Sequence, residues 1–212
     1  MKLYDAAISS AASRVRIALA LKHLEAERIP VAIVGPGADN RGADYLRINP
    51  QGLVPALQTG GGSLLTQSLA IVEYLDDIAP APPLLPVDPE ARAFVRSIAL
   101  AVAAEMHPLL TPRVAAYLAT LPGAGDATVA AWKRHWLEEG LDAIEALLAR
   151  RPGAGPCCLG ESPTLADVFL FPQAVNAERA GLELGRWPAV AAVLNHLRTL
   201  PAFADNAPAP LR

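Results

Sequence analysis

Ser9 and Ser10 stand just ahead of a run in which Ile17, Ala20, Leu21 and Leu24 recur at helical spacing. A hydroxyl at a helix N-terminus can donate a hydrogen bond to an anion, and the helix dipole favours the same negative charge by up to ~1 kcal/mol. The alternative is that Ser9, Ser10 and Ser13 only cap the helix. Gln67-Ser68 sits at a strand-to-helix junction, where free N–H groups and the Ser68 hydroxyl make an anion site. There a cap and an anion site use the same geometry. Arg14, Arg113 and Arg179 can each grip a carboxylate through two parallel hydrogen bonds, although a single arginine is more often a solvated surface residue. His107, in Met106-His107-Pro108, taken alone is a capping or core histidine. Thr164-x-x-Asp167 reads as a structural capping box before an apolar helix. Gly60-Gly61-Gly62 reads as a turn rather than a phosphate cradle, because no helix follows it directly.

The elements that carry these residues fall into two halves. Lys2-Leu3-Tyr4 is strand-like, a helix is expected from Ser13 to Leu24, and Ile29 to Val34 reads as a second strand. Gly35 to Gly42 reads as a mobile loop. Ala56 to Gln58 and Ser63 to Leu65 form a hairpin around the glycine turn, and a helix follows to about Ile78. The order is βαβ, then ββα. Ala79 to Pro89 is so dense in proline that neither helix nor central strand survives, which puts a boundary there. Four apolar stripes follow at helical spacing: Val95 to Met106, Leu137 to Leu148, Leu165 to Pro172 and Val190 to Leu197. Trp132 and Trp136, one turn apart, belong to core or interface, and the Ala/Pro-rich tail from Ala204 is expected to fray.

Composition narrows the function classes. The chain has 212 residues, 52% of them hydrophobic, enough for a substantial core in one or two domains. A net charge of -3 gives no reason to expect a nucleic-acid partner, since phosphate binding needs clustered Lys and Arg. No apolar run approaches the ~20 residues of a membrane span, and the N-terminus lacks the apolar core of a signal peptide. Cys157 and Cys158 are adjacent, a spacing that closes almost no loop, so both are expected as reduced thiols. With four His and no CxxC or HxxxH spacing, no dedicated metal site is expected. The expectation is a soluble cytoplasmic protein.

Four segments resemble the zeta class of glutathione transferases, in family order and across nearly the whole chain. Ser9-Ser10 with Arg14-Val15-Arg16-Ile17-Ala18-Leu19 resembles the signature Ser-Ser-Cys-x-Trp-Arg-Val-Arg-Ile-Ala-Leu. Asn49-Pro50 with Val54-Pro55-Ala56-Leu57 is similar to the glutathione-binding turn, and Gln67-Ser68 with Glu73-Tyr74-Leu75 to the next motif. Thr164-Leu165-Ala166-Asp167 with Pro172-Gln173 resembles the sixth helix of the class. The resemblance implies an α/β plus all-α chain: a thioredoxin-like βαβ–ββα domain over 1–79, a proline-rich linker over 80–89, and a helical substrate-binding domain over 90–212.

The resemblance also implies glutathione as cofactor and thiol activation by Ser9 or Ser10. Glutathione would be bound by Gln51, Val54, Pro55, Gln67 and Ser68, with Val54-Pro55 cis and the Val54 backbone pairing with the cysteinyl unit like an added strand. A trans proline opening a strand is the reading without it. Arg14, His107, Arg113 and Arg179 are implied on the substrate side, a small-molecule electrophile as substrate, and a homodimer without nucleic-acid or membrane partners. The implied activity is glutathione-dependent cis–trans isomerisation of maleylacetoacetate or maleylpyruvate.

The chain departs from the pattern where Ala11 replaces the cysteine, Ser13 the aromatic, Ile8 an arginine or polar residue, and Gly52-Leu53 a lysine and glutamine. Leu109, Leu110 and Thr111 follow His107-Pro108 where asparagine or glutamine is frequent. An apolar pocket with fewer cations suits a different electrophile. This leaves a conjugating transferase or peroxidase, and a non-catalytic binding module, as alternatives.

Overall fold

A computed structural model describes residues 1–35 and 37–210. Pro36, inside the loop expected over 35–42, and residues 211–212 of the tail lie outside the described residues. The chain divides into two units, one from Met1 to Leu84 joined by the residues from Leu200 onward, the other Leu85–Thr199.

The first unit is built on a four-stranded sheet in the order β2-β1-β3-β4, with β1 Lys2–Asp5, β2 Glu27–Pro30, β3 Ala56–Gln58 and β4 Leu64–Thr66. β1 is parallel to β2 and antiparallel to β3, and β3 is antiparallel to β4. β2 ends at Pro30, earlier than its apolar run suggested, as expected of a residue that cannot donate to a ladder. Helix α1 runs Ser10–Leu21, three residues ahead of the expected start, because Ser9 caps it and the small residues of its first turn are compatible with helix. The glycine-rich stretch expected as one mobile loop instead leads through a short turn at Asp39–Arg41 into helix α2, Ala43–Ile48. Its six residues are too few for periodicity to reveal. Helix α3 spans Ser68–Ile78. Leu3, Val15, Ile17, Leu57, Ile71 and Leu75 form the core between sheet and helices.

The linker does not float free. The Lys22 ammonium is buried and pairs with Asp76 and the Pro82 carbonyl, while Asp76 also accepts from Leu84 N at 2.9 Å. The expectation of a fraying tail is overturned too. Helix α9, Pro201–Ala204, packs on α1 through the fully buried Phe203, and Ala209 N donates to Ala7 O at 2.8 Å. One aromatic residue and the backbone hydrogen bonds after it hold a segment whose composition suggested otherwise. The last residues therefore belong with the first unit rather than with the helical one.

The second unit consists of helices α4 Pro89–Leu100, α5 Pro112–Leu118, α6 Asp126–Ala149, α7 Leu165–Arg179 and α8 Pro188–Leu197. α4 starts where Asp88 accepts from Ala91 N with Pro89 in the first turn. It continues through a wider π-type turn at Ala101–Met106 and a short turn at His107–Leu110. The combined run Pro89–Leu118 is long and apolar enough to cross a membrane by length and composition, contrary to the expectation that no stretch approaches this. Its buried stripe, Val95, Ile98, Val102 and Met106, serves as core against α7. α7 is buried on all sides from Leu165 to Val175, which fits its nearly continuous apolar sequence.

Asp167 anchors the start of α7. Fully buried, it accepts from Cys158 N at 2.7 Å and from Thr164 N and Oγ1 at 2.8 Å. Burial pushes its carboxyl pKa up, and these donors pull it back down. Asp167→Ala strands two buried N–H groups and a hydroxyl and is expected to cost about 3 kcal/mol. Urea unfolding measures this, and an unchanged midpoint would show that water replaces the carboxylate.

Candidate functional site

Sheet register gathers the candidate turns. Tyr4 pairs with Ala56 and Ala56 with Thr66, so the exit of β1, the entry to β3 and the exit of β4 lie at one end of the sheet. Ser9 and Ser10 follow the first, Val54-Pro55 precedes the second, and Gln67-Ser68 follows the third. Residues far apart in the chain thus meet through three short strands.

At the first turn, Ser9 is the cap: its Oγ accepts from Ala12 N at 3.1 Å. Capping uses a lone pair and leaves the hydroxyl proton for another acceptor, so the two readings of this serine are compatible. Ser10 is the first residue of the helix and is buried, whereas Ser9 is half-buried. Ser13 turns inward and donates to Asn206 O at 2.5 Å.

The second turn is held from inside. Asn49 Nδ2 and the Tyr45 hydroxyl both donate to Leu53 O, at 2.7 and 2.8 Å, and Asn40 Nδ2 donates to Gly52 O at 2.7 Å. Gln51 N and Gly52 N turn back to Asn49. Gly52 has φ +61, and a Cβ there would stand 2.8 Å from Asn40 O. A lysine cannot replace this glycine without distorting the turn. The Val54-Pro55 bond is cis. The Val54 N–H and C=O have no partner among the described residues, unlike the carbonyls before them. Asn49-Pro50, Gln51 and Gly52-Leu53 stood out in the sequence, whereas Asn40 and Tyr45, which hold the turn from inside, did not: they lie in the stretch read as a loop and in the short helix after it.

The third turn is strained. Gln67 has φ 68 and ψ 120, a region that non-glycine residues seldom occupy. Its Nε2 donates to Gln51 Oε1 at 2.8 Å, joining the second and third turns. Ser68 is the first residue of α3, and its Oγ accepts from Arg14 Nη1 at 3.1 Å. Arg14 is only 1% exposed. Burial pulls its guanidinium pKa down to about 9, so it stays charged at neutral pH. The expectation that Arg14 grips a substrate carboxylate is corrected here. With no surface of its own, it stands behind Ser68 and adds positive potential to that turn. This was not legible beforehand, because α1 periodicity does not say which polar residue faces α3.

The other substrate-side candidates belong to the second unit. His107 follows the π-type turn, a feature frequent at functional sites. Arg113 lies exposed in the first turn of α5 and Arg179 exposed at the end of α7, neither in an ion pair among the described residues. Two cavities open in the first unit. One, about 390 Å³, is lined by Ala7, Ile8, Val31, Ile33 and Val34 among others, beside the first turn. The larger, about 680 Å³, opens by Met1, Leu24 and Glu27 at the opposite end of the strands and contains none of the candidate residues. No group of three or more His, Cys, Asp or Glu able to hold a metal occurs among the described residues.

Residues 8–78 match the family model for the glutathione S-transferase N-terminal domain, and residues 117–196 that for the glutathione S-transferase C-terminal domain. The chain is 43% identical over 209 residues to maleylacetoacetate isomerase of Pseudomonas aeruginosa, covering 99% of this chain and 96% of that one. It is 41% identical to maleylpyruvate isomerase of a Ralstonia species, covering 99% and 97%. A solved holo structure described as maleylpyruvate isomerase, a bacterial zeta-class glutathione S-transferase, superposes with a TM-score of 0.93 at 39% identity, covering 98% of this chain and 97% of that one. Maleylacetoacetate isomerase of Methylobacterium extorquens, solved with malonate and glutathione bound, gives a TM-score of 0.93 at 37% identity over the full length of both chains. On its sequence, its fold and the three turns gathered at one end of its sheet, the chain belongs to the glutathione transferase family.

Proposed function

We propose that the protein is a glutathione-dependent cis–trans isomerase of maleylacetoacetate or maleylpyruvate type. The observation that carries this reading is the convergence of a capping serine, an unpartnered strand edge and a cation-backed serine at one end of the sheet. The relatives' activities point the same way. The residues fit glutathione. The Val54 N–H and C=O offer a strand edge to its cysteinyl backbone, and Pro55 fixes that edge. The Ser68 turn, with Arg14 charged behind it, suits the γ-glutamyl carboxylate. Gln67 and Gln51 bridge the rim.

When bound, glutathione supplies the thiolate that adds reversibly to a conjugated alkene and so permits rotation about its carbon–carbon bond. The chain's part is to stabilise that charge and orient the partners. Ser9, already accepting from Ala12, would donate its O–H to the sulfur, and the α1 dipole would act in the same sense. Ser10 supports that turn from its buried position. Arg113 and Arg179, both exposed, hold substrate carboxylates, with His107 as a further polar contact. The two cysteines are free and buried, which suits a reducing cytoplasm.

The apolar cavity beside Ile8 favours a second reading, conjugation of a less polar electrophile. Turnover of maleylpyruvate without loss of glutathione supports isomerisation; thioether formation with an apolar electrophile, and no isomerised product, supports conjugation.

Three outcomes are expected. A hydrogen bond to an ionised group is worth about 1.5–3 kcal/mol, so the pKa of the bound thiol should fall about one to two below its free value near 8.5. Thiolate absorbance titrated against pH should show this. Ser9→Ala should reverse most of it and Ser10→Ala less; no change in either variant would leave both serines as helix caps. Ser68→Ala should weaken glutathione binding about tenfold, measured by calorimetry, through loss of a charge-assisted contact. Leu64, Ile78, Val87 and Leu100 are exposed apolar residues, and we propose that surfaces of this kind pair two chains about a twofold axis. Sedimentation at micromolar concentration should give a particle of two chains, and a monomer would exclude the pairing.

A further inference from the structure

The position of the Ser9 hydroxyl depends on Asp5 to Ile8, the turn that leads into it. This turn takes few contacts from its sequence neighbours. Ser9 N donates to Ala6 O at 2.9 Å, and the remaining bonds come from further away. Ala209 N donates to Ala7 O at 2.8 Å. Arg16, 5% exposed and two turns into α1, spreads its guanidinium over both segments. Its Nη1 donates to Asp5 Oδ1 at 2.6 Å and Ala6 O at 3.5 Å. Its Nη2 donates to Ala7 O at 3.3 Å, Asn206 O at 3.3 Å and Ala207 O at 3.4 Å. The Ser13 hydroxyl adds a bond to Asn206 O at 2.5 Å, and Phe203 buries its ring at the start of this segment.

A guanidinium is a rigid planar fork, so these acceptors constrain one another. The carbonyls of the turn and those of the C-terminal segment must stand in fixed relation for all of them to reach it. Every bond ends on the backbone of residues 6–7 or 206–207, or on Asp5. The arrangement therefore fixes main-chain position two residues before the one that carries the hydroxyl. Ser13 takes part only because it is small and polar where the resembling signature has an aromatic.

We propose that Arg16 and the segment Phe203–Ala209 form a positioning clamp on the turn that presents Ser9, so that residues at the end of the described chain set the geometry of thiol activation. Arg16 is a positioning residue: it has almost no exposed surface and acts through the turn. The proposal rests on the reading of Ser9 as the thiol's hydrogen-bond donor.

The test uses the full chain with Ala209→Pro, which deletes the N–H that holds Ala7, Ser13→Ala, and Arg16→Lys. Each variant is compared with the parent by thermal unfolding, by the pH titration of bound glutathione thiolate, and by kcat and KM for maleylpyruvate turnover. In Ala209→Pro and Arg16→Lys the bound thiol should titrate about one pH unit closer to its free value, and kcat should fall about tenfold, since small misplacements of reacting groups are costly. The KM for glutathione should stay within about twofold, because Val54 and Ser68 carry binding. Ser13→Ala should move both readouts the same way by less. Should Arg16→Lys fail to fold, Ala209→Pro and Ser13→Ala decide the matter. A lower melting temperature with an unchanged thiol titration and kcat overturns the clamp and leaves the segment as a stabilising strap. If the parent's bound thiol titrates at the free value, the reading of Ser9 itself fails, and the clamp with it; a depressed parent value that no variant moves defeats the clamp alone.

Discussion

Asp5 ends the central strand with a carboxylate almost cut off from water, and the first unit is arranged around keeping that charge paired. Removing a carboxylate from water costs several kcal/mol unless partners replace the hydration. Here Arg16 reaches Oδ1 from α1 at 2.6 Å, and Arg28 reaches Oδ2 from β2 with Nε at 2.8 Å. Strand β2, strand β1 and the first helix are thereby tied at one point, on the parallel pair where Leu3 faces Arg28. The ion pair has the character of a keystone rather than of a large net gain. Removing either partner leaves an uncompensated charge indoors, while the intact pair specifies one register and one helix orientation.

That end of the sheet is also where the chemistry collects, and the other polar groups there follow the same logic. Arg14 is a cation beneath a hydroxyl, donating to Ser68 from a fully buried position that draws its pKa down. An anion seated at the α3 N-terminus would relieve part of that desolvation cost. Gln67 holds an unfavourable backbone conformation just before it. Charge and strain are both placed next to the turn expected to meet a carboxylate.

Much of this was legible in the sequence. Two of the turns were readable because each consists of consecutive residues with a local chemical meaning, a serine pair before a helix and Gln67-Ser68 between strand and helix; Val54-Pro55 was readable only through the family resemblance, since a proline before a strand is ordinarily trans. The long helices were readable because their apolar stripes repeat over several turns. Helix α2 was not, having six residues and a glycine-rich approach. The role of Arg14 was not either, since the direction of a side chain around a helix depends on what packs against it. The C-terminal segment misled for a different reason. Composition suggested fraying, yet a single buried ring at Phe203 and backbone hydrogen bonds, which composition does not encode, decide its place.

The adjacent cysteines acquire a meaning beyond packing once the protein is seen to handle a thiol. Cys157 and Cys158 are the two cysteines of the chain; both are free and fully buried, and burial, with Asp167 nearby, pushes both thiols up from their ordinary pKa. Thiolates exchange with disulfides and react with alkylating agents, whereas protonated, inaccessible thiols do neither at a useful rate. Both sulfurs are therefore poor targets for oxidised glutathione and soft electrophiles. Its reactive sulfur arrives with the cofactor and departs with it, so oxidative damage at the centre is repaired by exchange of a small molecule rather than by replacement of the protein.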